Sequence, residues 1–355
     1  MKNIEISNGA CVLSHIYSGE SIEDIAGCCH CYDNIFIVMD RNLSLIREKL
    51  EKILHFKSVY LLDATEENKE IGTVMDICAW LMDHEANRDA FLLGIGGGIT
   101  TDITGMAASI YKRGIRFAFM PTTLLAQTDA AIGGKNGVNF HGYKNMAGII
   151  RQPEFTFECP EVLETLPYED FLSGEAELIK SFIIENKDGN YSKAIRLLSE
   201  IHQTGDRAEA IRASRKELEE LVMAAAAVKA GIVGRDQNEC GERKKLNLGH
   251  TFAHAIEWKS GNRISHGKAV AIGMVMAARL SERLGTADSK IEEQLRRDLE
   301  ACGLPTDSGY PIGDLAEAMK KDKKALNGKV SFILIRHIGE VTIEAIGTEK
   351  IVNIL

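Results

Sequence analysis

The strongest constraint on this chain is an alternation between residues 34 and 123. Four short apolar runs, NIFIVMD (34–40), SVYLLDA (58–64), AFLLGIGGG (90–98) and RFAFMPTT (116–123), are separated by segments of helical period. The runs carry no polar alternation, so strands there must be covered on both faces, the condition of a parallel sheet flanked by helices. The intervening stretches RNLSLIREKLEKIL, EENKEIGTVMDICAWLMDHEA and DITGMAASIYKRG supply the helices, with Ile71, Val74, Met75, Cys78 and Leu81 expected on the apolar face of the second. Ligands of such sheets bind beyond the carboxyl ends of the strands. Asp40, Gly96, Gly97, Gly98, Thr122 and Thr123 all fall there.

Gly94, Gly96, Gly97 and Gly98 place four glycines within five residues, between a strand and a helix start. Missing side chains let phosphate oxygens reach backbone N–H groups, and the helix dipole favours the anion. The spacing is not G-x-G-x-x-G, so a standard Rossmann fingerprint is absent and a tight turn is the plainer alternative. PTTLLAQTDAAIGGKNGVNFHGYKN (121–145) is expected to be a long irregular stretch with little to fill a core, carrying Asp129, Lys135, Asn139, Lys144 and Asn145. Its cations, with Arg113 just upstream, suit a phosphorylated or carboxylated small molecule.

From about Leu166 the apolar spacing turns helical, through LSGEAELIKSFIIEN, YSKAIRLLSEIHQ and a long run over RAEAIRASRKELEELVMAAAAVKAGIVGRD. Lys229 stands among alanines and valine, where a lysine is out of place unless it faces a pocket. SHGKAVAIGMVMAARLSERLG is apolar nearly all round and is expected to be central. KVSFILIRHIGEVTIEAI is expected to form a hairpin turning near Gly339.

With 355 residues the chain exceeds one ordinary core, and the change of pattern suggests an α/β N-terminal domain and a mainly α-helical C-terminal domain. The net charge of −9 argues against a nucleic-acid surface, leaving room for a local basic pocket. MKNIEISNGA lacks an apolar signal core and no stretch reaches membrane-span length, so a cytoplasmic location is expected. Of eight cysteines, the CCHC run at 28–31 is too tight to wrap one tetrahedral ion, and free thiols are expected.

GERKKLNLGHTFAHAIEWKSGNRISHG (241–267) gathers His250, His254 and His266. LNLGHTFAHAIEW reads as a helix, putting His250 and His254 one turn apart as metal ligands are often spaced, with Arg243 and Asn247 upstream. His266 follows a Gly/Ser-containing turn and can return to the same point. Glu177, on the helix with Glu175 and Lys180, can add a carboxylate. Surface histidines and a solvated acidic face are the bland alternative.

These segments, taken together, resemble the 3-dehydroquinate synthases, sugar-phosphate cyclases of the shikimate pathway. GGGITTDITG, RG, PTTLLAQTDAAIGGKNGVN, YKN, TLP, GEAELIK, VKAGIV, RKKLNLGHTFAHAIE, SHGKAVAIGM and DKK occur in family order over nearly the whole chain. The resemblance implies a non-standard, Rossmann-like NAD-binding α/β domain over residues 1–157 and a helical metal- and substrate-binding domain over 158–355. The active site is expected between them, usually in a homodimer. Motif by motif it implies zinc (or Co2+) on Glu177, His250 and His266, with His254 as a relay. It implies NAD contacts from Asp40, Glu66, Lys69, Gly96, Gly97, Gly98, Asp102, Thr122, Thr123, Lys135, Lys144 and Thr165. Substrate contacts would come from Asp129, Lys135, Asn145, Lys180, Lys229, Arg243, Asn247 and Lys323 or Lys324, the latter preferred, with Arg113 reaching across the dimer.

The implied reaction turns 3-deoxy-D-arabino-heptulosonate 7-phosphate into 3-dehydroquinate and phosphate. It proceeds by transient oxidation, phosphate elimination, re-reduction, ring opening and aldol closure. Thr101, Asn136 and Gln237 stand where the family usually has glycine, threonine and an acidic residue, departures that bear on loop geometry. The rivals are a cyclase making valiolone- or inosose-type products, a metal-dependent polyol dehydrogenase, and a non-enzymatic binding module. Asn145, Lys229, Arg243 and Asn247 favour the shikimate enzyme.

Overall fold

The apolar runs become strands because neither of their faces can be left to water. The computed structural model describes residues 1–9, 11–321 and 329–355; Lys323 and Lys324 lie outside the described residues. The chain divides into two units, Met1–Leu166 with Ile211–Gln237, and Pro167–Ala210 with Asn238–Leu355.

The first unit holds strands β1 (Lys2–Asn8), β2 (Cys11–Ser18), β3 (Ile35–Asp40), β4 (Ser58–Leu62), β5 (Phe91–Gly96), β6 (Arg116–Pro121), β7 (Lys135–Phe140), β8 (Tyr143–Ile150) and β9 (Phe155–Glu158). Seven form one sheet in the order β1-β2-β9-β6-β5-β3-β4, parallel throughout except for β1, which is antiparallel to β2. Every residue of Ile35–Met39 and of β5 is buried, as an unalternating run requires.

Helices α1 (Ile25–Cys29), α2 (Ser44–Ile53), α3 (Ile71–Asp83) and α4 (Gly98–Ile110) lie between these strands. Val74, Ile77 and Leu81 of α3, with Ile103 and Ala107 of α4, pack on Phe36, Val38, Leu92, Phe117 and Phe119. Each large side chain so buried contributes about 1.5–3 kcal/mol of transfer free energy. The apolar face of α3 differs from expectation: Ile71 and Met75 are exposed, and Ile77 is buried in their place.

The expectation of an irregular 121–145 also needs correction. Ala126–Ala130 forms a short helical turn with Ala126, Gln127 and Thr128 buried, and β7 and β8 pair as a hairpin. Glycine and asparagine have little strand propensity, so β7 (KNGVNF) exists through its pairing rather than through its own residues.

The second unit begins with α5 (Tyr168–Ile184) and α6 (Asn190–Gln203); α7 (Arg207–Ala213) then leads to α8 (Arg215–Arg235), which returns to the first unit. Met223, Ala226, Ala230 and Val233 of α8 pack on Ile6 and Ile16 of β1 and β2. The chain continues in the second unit with α9 (His250–Ser260), α10 (His266–Arg283), α11 (Ile291–Ala301) and α12 (Ile312–Lys321). It ends with a hairpin of β10 (Lys329–His337) and β11 (Glu340–Gly347), and α13 (Thr348–Ile354). The hairpin turns at Gly339, as expected from sequence. As its apolar circumference demanded, α10 packs against α5, α9, α11 and β10.

One expected helix is two elements. Glu242–Asn247 is a separate 3-10 turn, and α9 begins at His250 after Gly249, whose φ is +78°. A Cβ on Gly249 would sit 2.9 Å from the Met274 nitrogen, so glycine lets the start of α9 press against α10. Gly267 does the same for α10, whose missing Cβ faces the Ser173 backbone of α5. Two close approaches thus bring three helices together where Glu177, His250 and His266 stand.

Candidate active site

In the second unit, α5 buries Glu177 and Lys180 completely, one turn apart and ion-paired. His250 and His266 are the first residues of α9 and α10. The His250 Nε2 lies 3.5 Å, and the His266 Nε2 3.3 Å, from Glu177 Oε1. One donor atom from each of Glu177, His250 and His266 lies within 4.8 Å of the others, the spread a single metal ion requires. His254 stands a turn further along α9, its ring centroid 5.8 Å from that of His250, outside this triad.

Both imidazoles are held by their other nitrogen. The His250 Nδ1 lies 3.1 Å from the Leu248 carbonyl and the His266 Nδ1 3.4 Å from Glu257 Oε1. Such partners orient the two rings and aim each Nε2 at Glu177. Burial, then Lys180, hold the His250 pKa down to about 3, keeping it neutral. Burial pushes His266 the same way, but the hydrogen bonds it donates to the Glu177 and Glu257 carboxylates outweigh it and raise its pKa to about 10. Glu257, seven residues after His250, is a neighbour of this cluster that spacing alone does not single out. Arg243, which is buried, and Asn247 sit on the 3-10 turn before α9, and the Asn247 amide donates to Glu239 at 2.6 Å.

In the first unit the candidates gather at the carboxyl ends of the strands. Asp40 ends β3 and accepts from the Asn42 backbone and side chain. Gly97 caps α4, and a Cβ there would lie 3.0 Å from the Thr123 methyl, so the glycine turn and Thr122–Thr123 are side by side. The Lys69 ammonium is 2.5 Å from Asp102 Oδ2 and 2.6 Å from Asn145 Oδ1. Burial raises the Asp102 pKa to about 6, with Lys69 pulling against it. Asn139 links Glu66, 2.8 Å from its amide, to the Asn145 backbone N–H at 2.9 Å. Asn139 thereby completes a chain from Glu66 through Asn145 and Lys69 to Asp102. The Lys229 ammonium meets the Asp129 carbonyl and Oδ1, each at 2.6 Å.

Lys135, Lys144, Thr165 and Arg113 are exposed, Arg113 at a φ of +69°. Two departures from the family pattern are accommodated in place. Thr101 Oγ1 donates to the Gly98 carbonyl at 3.0 Å. The Asn136 amide ties the Gly134 carbonyl, 3.0 Å away, to that of Arg151 at 2.9 Å. All eight cysteines are free thiols.

With this geometry in view, comparison with known proteins decides the lineage. The family model for the N-terminal part of 3-dehydroquinate synthase matches residues 59–173, and that for its C-terminal part matches residues 174–325. The chain belongs to the 3-dehydroquinate synthase family. A 3-dehydroquinate synthase of Pyrococcus abyssi is 43% identical over 291 residues, covering 82% of this chain and 82% of that protein. One from Acidithiobacillus ferrooxidans is 40% identical over 317 residues, 87% of this chain and 84% of the relative.

Among solved structures, a 2-epi-5-epi-valiolone synthase from Streptomyces hygroscopicus with NAD+ and Zn2+ bound superposes with TM-score 0.83. Its identity is 24%, and 96% of this chain and 94% of that one are covered. A 2-deoxy-scyllo-inosose synthase complexed with carbaglucose-6-phosphate, NAD+ and Co2+ gives TM-score 0.81 at 21% identity, over 99% of each chain. At these identities the structures share the fold of the synthase family. No helix among the described residues is long and apolar enough to cross a membrane.

Proposed function

We propose that this chain is a carbon–oxygen lyase converting 3-deoxy-D-arabino-heptulosonate 7-phosphate to 3-dehydroquinate and phosphate, in the cytoplasm, as a homodimer. The observation that carries the proposal is the convergence of Glu177, His250 and His266 in a chain that belongs to the synthase family. A carboxylate and two oriented neutral-capable imidazoles fit a catalytic zinc, which keeps one position open for substrate; Co2+ suits the same donors. Bound at these residues and at the strand ends, the divalent ion would act as a Lewis acid on a hydroxyl, and NAD+ would accept and return a hydride.

The remaining work falls to the chain. Gly96, Gly97 and Gly98 at the start of α4, with Asp40, Glu66, Thr122, Thr123, Lys144 and Thr165, would hold the dinucleotide. Lys69, fixed between Asp102 and Asn145, joins the dinucleotide residues to the substrate residues. Lys135, Lys180, Lys229, Arg243, Asn145 and Asn247 would bind the phosphate, carboxylate and hydroxyls of a doubly anionic substrate, Asp129 orienting Lys229. His254 would pass a proton to or from the substrate.

The dimer is supported by the hairpin, where Phe140, Tyr143, Met146, Ile149 and Ile150 are exposed apolar side chains that a second copy would cover. The Arg151 guanidinium just beyond β8 lies close to Gly114, beside Arg113, which would enter the partner's site.

Incubation with the heptulosonate phosphate, catalytic NAD+ and zinc tests the proposal, following phosphate, dehydroquinate and NADH together. Phosphate and dehydroquinate are expected to rise in step without NADH. NADH accumulating without phosphate would make the chain a polyol dehydrogenase, and phosphate released only from another sugar phosphate would make it a different cyclase.

A further inference from the structure

Helix α5 buries two carboxylates that point to different neighbours. Glu177 meets His250 and His266, whereas Glu175, fully buried, meets α6: both its oxygens lie 2.9 and 3.0 Å from the His202 Nε2. His202 occupies the last turn of α6. Its Nδ1 is 3.4 Å from the hydroxyl of Tyr168, the first residue of α5. Gly303 abuts the same ring, since a Cβ there would lie 3.0 Å from the His202 Nδ1 and 3.2 Å from the Tyr168 hydroxyl. One histidine therefore grips α5 at its start and two turns along.

A buried polar pair is a poor source of stability, because an apolar pair of like volume packs at least as well; its better use is to fix geometry. Residues two apart on a helix are separated by about 200°, so Glu175 and Glu177 sit on nearly opposite sides of α5. A rotation of α5 by about 10° would carry a carboxylate about 5–6 Å from the axis through about 1 Å. That exceeds the roughly 0.5 Å within which a metal site must be held.

We propose that His202, through its hydrogen bonds to Glu175, is a positioning residue that sets the rotation of α5 and thereby presents Glu177 to a metal on His250 and His266. The inference rests on Glu177 being a metal ligand and adds the device that aims it.

Zinc affinity, measured by competition with a chelator, and the melting temperature of the metal-free protein test it together. His202→Leu is expected to weaken zinc binding about 10–100-fold, the usual cost of losing an outer partner, and His202→Gln, which keeps a donor, to restore most of it. The double variant Glu175→Leu/His202→Leu removes the lone buried carboxylate. It should recover metal-free melting while leaving zinc binding weak, which a purely structural role would not do. Wild-type zinc affinity in the double variant, or within twofold of wild type in His202→Leu, would overturn the inference. Glu177→Gln separates the two levels: unchanged zinc binding there would remove the ligand assignment itself, whereas its loss beside intact binding in the His202 variants would remove only the positioning role.

Discussion

Glu257 Oε1 lies 3.4 Å from the His266 Nδ1, while the other nitrogen of the same ring lies 3.3 Å from Glu177 Oε1. The imidazole is thus strung between two carboxylates, one with which it would share the proposed metal and one to hold its proton. Glu257→Gln keeps the shape and removes the charge. Zinc affinity should fall about 10–100-fold, as for other outer partners of metal-bound histidines. Chelator competition checks this, and an affinity unchanged by the substitution would show that Glu257 does not orient the ring.

Gly267→Ala tests the close approach of α10 to α5. The added methyl would be driven into the Ser173 backbone, which has no rotamer by which to yield. Overpacking of this kind costs about 1–3 kcal/mol. Melting should fall, and zinc binding with it, since the residue immediately before it is His266. Gly313→Ala in α12 is the control: nothing lies within 4 Å of its would-be Cβ, so the helix should gain about 1 kcal/mol or stay neutral. Equal melting of the two variants would refute the steric account.

Much of this fold is legible in the sequence. The four apolar runs became β3, β4, β5 and β6 with ends within a few residues, because a strand buried on both faces leaves a continuous apolar signature. The mouth of the sheet followed from strand direction alone, and Asp40, Gly96 and Thr122 lie there. What escaped was long-range. β7 is held by β8 and not by its own residues, and β1–β2 carries an ordinary alternation easily overlooked. That Ile211–Gln237 groups with the sheet depends on α8 packing on Ile6 and Ile16, contacts some 200 residues apart. The break in the expected helix at Gly249 depends on the proximity of Met274. Glu257 lies within LNLGHTFAHAIEW, yet its partner, His266, arrives from another helix.

Arg113 is exposed at the end of a 3-10 turn, at a φ of +69°, and the proposed role across a dimer can be separated from a role in its own subunit. Arg113→Ala and His250→Ala are each expected to be inactive alone. Mixed by denaturation and refolding, half of the randomly paired dimers contain one chain of each kind. In those, the site with an intact metal triad receives Arg113 from its partner. About one quarter of wild-type sites should therefore be recovered. No recovery above the single variants would place Arg113 in its own subunit's chemistry.

Glu158 closes β9 with its carboxyl fully buried and, among the described residues, without a hydrogen-bond partner. Its register neighbour Ser18 gives its hydroxyl to Glu219 instead, at 2.7 Å. Burial alone therefore raises the Glu158 pKa well above the ordinary carboxyl value. The sign of the consequence follows from linkage. Unfolded, the group ionises near pH 4.3; folded, it keeps its proton, so above that pH the folded state binds more protons than the unfolded one. Stability is then lost as pH rises, by about 1.4 kcal/mol per unit until the folded pKa is reached. Glu158→Gln removes the titration while keeping the shape. Melting curves of the two proteins should agree near pH 4, and the variant should gain progressively on the wild type from pH 5 to 8. A gap that stays constant across that range would mean that Glu158 is ionised, or already paired, in the folded protein.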